Sequence, residues 1–140
     1  RERDVIITDT VGFIRDLPAD LVAAFESTLE EVHKADLLVH VIDGADPQAH
    51  RKVESVERTL EQMGLDQKPR VCVLNKTDLM DATEISERAA MFDAIPVSAR
   101  SAKTLTPFLD RIDDMLFQLR RDRQRNHDEH TKSKPGNIML

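Results

Sequence analysis

Four short apolar runs constrain this chain most: residues 5–8 (Val-Ile-Ile-Thr), 37–42 (Leu-Leu-Val-His-Val-Ile), 71–74 (Val-Cys-Val-Leu) and 94–97 (Ala-Ile-Pro-Val). Each is continuous and rich in β-branched residues. A strand with one wet face alternates apolar and polar, whereas a strand covered on both faces does not. The runs therefore predict the buried strands of a parallel sheet. Pro96 has no N–H to give a ladder, so the fourth run is expected at a sheet edge.

Helical patterns lie between the runs. Leu21, Phe25, Leu29 and Val32 recur at helical spacing after Pro18. Asp46-Pro47 reads as an N-cap followed by proline in the first turn. Val53, Val56, Leu60 and Met63 then form one stripe, with Gly64 as its stop. Residues 84–91 suit a short helix. Thr106-Pro107 opens the last one, whose stripe is Leu105, Phe108, Leu109, Ile112, Leu116 and Leu119. The order β-α-β-α-β-α-β-α implies an α/β fold, a parallel sheet with right-handed crossovers and helices on both faces. A length of 140 residues suits one domain. Residues 120–140 are polar, lack an apolar period and contain Pro135 and Gly136. They predict a frayed helix end and then a charged, disordered tail.

Composition narrows the function classes. No apolar run approaches the ~20 residues that cross a bilayer. Cys72 is the single cysteine, so no disulfide forms within the chain, and a reducing cytoplasm is the expected location. His33, His40, His50, His127 and His130 do not combine with Cys72 at a zinc-like spacing. The net charge is −6; residues 120–134 carry +3, which leaves −9 on the others. An acidic body of this kind is not that of a DNA clamp. Arg120, Arg121, Arg123 and Arg125 read as a solvated helix terminus rather than an RNA contact.

Ligands of open α/β sheets bind beyond the carboxyl ends of the strands. Those positions hold Asp9-Thr10-Val11-Gly12, Asp43-Gly44, Asn75-Lys76-Thr77-Asp78 and Ser98-Ala99-Arg100. The third is the most informative. Guanine presents an N1–H and an N2 amine side by side, and one carboxylate, Asp78, can accept from both. Adenine lacks that donor pair and is rejected. The guanine O6 and N7 acceptors suit the amide of Asn75. The stem of Lys76 can cover the base while its ammonium stays wet, and a backbone N–H near Ser98-Ala99 can reach O6. At the first strand end, Asp9 can hold Mg²⁺, directly or through water, beside a triphosphate. Gly12 lets its backbone N–H approach a terminal phosphate without a Cβ in the way.

With these elements in view, Asp9–Gly12, Asn75–Asp78 and Ser98–Arg100 resemble the third, fourth and fifth signature elements of the translation-factor-like GTPases. The stretch DTVGFIRDLPADLVAAFESTLEEVHKADLLVHVID, residues 9–43, is similar to the switch II helix and following strand of the HflX family. The resemblance covers residues 1–119 as the carboxyl-terminal part of an HflX-type G domain. It implies a P-loop GTPase fold, GTP or GDP as ligand, Mg²⁺ held by Asp9 through water, GTP hydrolysis, and the large ribosomal subunit as partner. Residues 120–140 match no part of it.

Two departures stand out. The residue after the switch glycine is Phe13. Ras-like proteins carry a water-orienting glutamine there, and an aromatic ring moves no proton. Second, Gly-x-x-x-x-Gly-Lys-Ser/Thr occurs nowhere in residues 1–140. By the resemblance, the chain starts at the third strand of the fold. The first two strands, the phosphate loop and the switch I threonine are then expected upstream of Arg1. The first of those strands belongs between 5–8 and 37–42. Without it the chain is expected to fold poorly or to close the gap in a non-native way. A non-catalytic ribosome- or protein-binding module derived from a GTPase is the alternative. A ribosome-assembly GTPase of another branch and a phosphorelay receiver rank behind; the receiver has no need of Asn-Lys-x-Asp.

Overall fold

The computed structural model describes residues 5–9, 30–126 and 136–140. Five strands, β1 (Val5–Thr8), β2 (Leu37–Asp43), β3 (Arg70–Asn75), β4 (Ala94–Pro96) and β5 (Gly136–Met139), form a sheet in the order β1-β5-β2-β3-β4. All neighbours run parallel. Three helices, α1 (Ala49–Gln62), α2 (Ala82–Met91) and α3 (Thr106–Asn126), accompany them, and residues 30–34 are also helical.

Helices on both faces explain the unbroken apolar runs of β2 and β3, whereas β1 corrects the expectation of a buried strand: it lies at the sheet edge, with Ile6 and Ile7 52% and 61% exposed. On one face Leu37, Val39, Val71, Val73 and Ile138 pack with Ile112 and Leu116 of α3. On the other, Leu38 and Met139 meet Leu60 of α1, and Ile42, Leu74 and Ala94 meet Ala49 of α1, with Ala89 of α2 against them. Successive residues of β2 and β3 thus alternate between two cores, as the period of a strand requires. Leu74 is the pivot: it is fully buried.

Local chemistry sets the helix ends. Asp81 accepts from the N–H groups of Thr83 and Glu84, both at 2.9 Å, and Glu84 bonds back to the Asp81 N–H at 3.3 Å. This capping box starts α2 two residues before the expected position. α1 starts later than Asp46-Pro47 suggests. The Asp46 carboxylate takes the Gln48 N–H at 2.7 Å inside a turn, and the helix begins at Ala49. Gly64 ends that helix at φ +67°, and Leu65 N–H bonds Leu60 O at 2.8 Å across it, a glycine C-terminal closure. Pro96 does lie on an edge strand. Leu109, placed in the core stripe by spacing, is 59% exposed. The stripe's other members all pack into the core cluster on that face. Of the helix expected around Leu21, Phe25 and Leu29, only the end with Val32 falls within the described residues.

The disordered tail expected over residues 120–140 needs correction at its two ends, while residues 127–135 lie outside the described residues. α3 runs to Asn126, and Gly136–Met139 is a strand inserted between β1 and β2. The gap expected between those strands is closed by the chain's own residues. The reason is tertiary: Ile138 and Met139 are nearly fully buried there, and two parallel strands offer them unpaired backbone on both sides. The Asp36 carboxylate fastens the insert, taking the Asn137 N–H at 2.8 Å and pairing with Arg123 of α3 at 2.5 Å.

Candidate functional site

Because the strands are parallel, Asp9, Asp43, Asn75–Asp78 and Ser98–Arg100 lie along one sheet edge. β3 and β4 are neighbours, and this brings Asn75–Asp78 and Ser98–Arg100 together. The Val97 N–H bonds Leu74 O at 2.8 Å, continuing the ladder past the strand end. The Thr77 hydroxyl and N–H both donate to Val97 O, at 2.8 and 3.2 Å. Lys76 takes a left-handed backbone, φ +66°, which turns the chain out of the strand and into the short 3₁₀ helix Thr77–Leu79.

The side chains then converge. Asn75 Oδ1 accepts the Ala99 N–H at 3.1 Å. The Ser98 hydroxyl donates to Asp78 Oδ1 at 2.7 Å, and Ser98 is buried. That bond, ahead of the pull of Arg100 and Lys76, holds the Asp78 carboxyl below the usual carboxylate range. Arg100 stands 4.0 Å from Asp78 Oδ2 and is itself largely exposed. Ser98 is set from behind: its N–H donates to the Thr104 hydroxyl at 2.8 Å. Chemically, the result is a fixed carboxylate beside a fixed amide, with a backbone N–H between them. Such a set accepts two adjacent donors and discriminates against a ring that lacks them.

Sequence reasoning placed Asp43-Gly44 on this edge without a role and left out Thr104. Asp43 receives the Lys76 ammonium, Nζ to Oδ2 at 2.6 Å. Gly44 gives its N–H to Asn75 O at 2.8 Å. Thr104 orients Ser98. Asp43-Gly44 behind a strand was a usable signal; Thr104 closes the short 3₁₀ turn Ala102–Thr104 and gave none.

At the far end of the edge, Asp9 is exposed just after β1. Thr10, Val11 and Gly12, like Phe13, lie outside the described residues. Asp9 stands three strand positions from Asn75, roughly 14 Å at about 4.8 Å per strand. Among the described residues no three His, Cys, Asp or Glu side chains gather as a metal cage. One carboxylate suits Mg²⁺, which keeps waters and takes phosphate oxygens, rather than an ion held by protein alone.

Residues 1–76 match the family described as 50S ribosome-binding GTPase. The chain belongs to this family, as part of an HflX-type G domain. It is 45% identical over 116 residues to a GTPase HflX of Caldanaerobacter subterraneus, covering 83% of this chain and 26% of that protein. The GTPase HflX of Magnetococcus marinus is 44% identical over 109 residues, 77% of this chain and 25% of its own. That of Escherichia coli is 46% identical over 81 residues, 58% of this chain and 19% of its own. The chain thus spans about a quarter of the length of the first two of these relatives. The α/β parallel sheet expected from the sequence is the one observed, and the likeness read from residues 9–43 agrees with the family found.

Proposed function

We propose that this chain supplies the guanine-selecting and switch portion of a GTP-hydrolysing G domain. The observation that carries the reading is the convergence of Asn75, Asp78, Ser98 and the Ala99 N–H at one strand-end junction. In this reading Asp78 accepts the guanine N1–H and N2 amine, Asn75 faces the O6/N7 side, and the stem of Lys76 covers the ring. Thr77 and Arg100 shape the loops that carry them. Asp9 holds Mg²⁺ through water. Thr10, Val11 and Gly12 follow the γ-phosphate, and the segment behind Phe13 moves when that phosphate leaves. When bound, the ion would supply charge neutralisation at the phosphates. Residues 1–140 contain no Gly-x-x-x-x-Gly-Lys-Ser/Thr, so the remaining phosphate contacts fall to other residues of a complete G domain. Water orientation likewise falls to a group other than Phe13.

The test is Asp78→Asn in the full polypeptide, titrated with GTP and XTP. Xanthine bears a carbonyl where guanine bears the amine, so an amide donor at position 78 should move preference toward XTP. A retained preference for GTP overturns the assignment of Asp78. The relatives' family description points to the large ribosomal subunit as partner. Cosedimentation with large subunits, stronger with GTP than with GDP, is the expected result.

A further inference from the structure

The guanine reading uses the stem of Lys76 but assigns nothing to its ammonium. That group is already committed: Nζ donates to Asp43 Oδ2 at 2.6 Å. Asp43 is the last residue of β2 and the register partner of Asn75. Its other oxygen is also taken, accepting the Ala45 N–H at 3.1 Å. The turn bearing it is fixed on several sides. Gly44 bonds Asn75 O, and Arg88 Nη1 reaches both Gly44 O and Asp46 O at 2.8 Å. A Cβ on Gly44 would stand 2.7 Å from the Met80 sulfur and 2.9 Å from Asn75 O. The carboxylate is therefore presented from a rigid support.

An exposed ion pair of this kind adds little to folding stability. The Lys76 side chain is 51% exposed and that of Asp43 37%. What the pair does accomplish is geometric. It fixes both ends of a lysine, its backbone by the left-handed turn and its head by Asp43.

We propose that Asp43 is a positioning residue for guanine binding: it anchors the Lys76 ammonium so that the lysine stem stands as a preformed platform for the base. The inference rests on the guanine reading above. Asn75 and Asp78 read the base edge; Asp43 removes the disorder a free lysine would have to lose when the ring arrives. Ordering a flexible side chain opposes binding, and doing so beforehand favours it.

The test measures GDP affinity of the full polypeptide by fluorescence titration. Asp43→Asn should weaken binding roughly three- to tenfold, the scale of one ordered side chain. Asp43→Glu, which restores an anchor of the same charge, should recover most of the loss. In a Lys76→Met background, which keeps a stem but has no ammonium, Asp43→Asn should add nothing. A merely structural Asp43 would show equal losses in both backgrounds, and that result, or an unchanged affinity in Asp43→Asn, overturns the proposal. Failure of the guanine reading is separable. If Asp78→Asn moves preference to XTP and Asp43→Asn is silent, only the platform falls. If Asp78→Asn leaves the preference unmoved, or the wild type binds no GDP, both fall.

Discussion

His40 shows at the level of single side chains how burial and charge combine. It lies on β2 opposite Cys72 of β3, and its Nδ1 is buried with no hydrogen-bond partner among the described residues. Burial first, then the Arg70 guanidinium, pushes its pKa below the usual histidine value, against a smaller opposing pull from Glu57. The folded chain therefore resists a proton that the unfolded chain accepts. Stability from this residue is complete above the unfolded value, about pH 6.5, and is lost as pH falls through that value toward the lower folded one. Urea midpoints should fall between about pH 7 and pH 5, and His40→Val should flatten that part of the slope. The residues of the proposed base site were legible for a related reason. In that reading selecting guanine requires an acid, and Asp78 stands in the short turn just beyond the end of β3. Thr104 was not legible, since any polar turn residue looks the same until its hydroxyl is seen against the Ser98 N–H.

At the level of elements, the sequence announces what depends on neighbours close along the chain. β2 and β3 show as apolar runs because both their faces are covered, and Gly64 shows because only glycine takes its left-handed turn at no cost. The starts of α1 and α2 are displaced because single side chains decide them. At α1, Asp46 holds a turn instead of the helix. At α2, Asp81 and Glu84 bond reciprocally. Asp81→Ala removes that cap and should cost about 1 kcal/mol, read as a lowered urea midpoint with an unchanged m-value. α3 outlasts its expected end for a long-range reason: Arg123, read as solvated, meets Asp36 beside β2.

For the whole molecule, β5 matters most, and no local pattern foretells it. Residues 136–139 become a strand because two others stand apart. Their fit is uneven. β5 pairs four residues with β1 but only two with β2, a strand of seven. Asn137 Oδ1 is buried with no hydrogen-bond partner among the described residues, a penalty of about 1–3 kcal/mol. Burying Ile138 and Met139 offsets it, at roughly 1.5–3 kcal/mol each. Deleting residues 136–140 should therefore lower stability by a few kcal/mol, with faster amide exchange in β1 and at Leu37 and Leu38 than elsewhere in the sheet. Backbone pairing between parallel strands is blind to side chains. The berth between β1 and β2 admits a single tenant, and any other strand of a longer polypeptide that moors there must first evict residues 136–139.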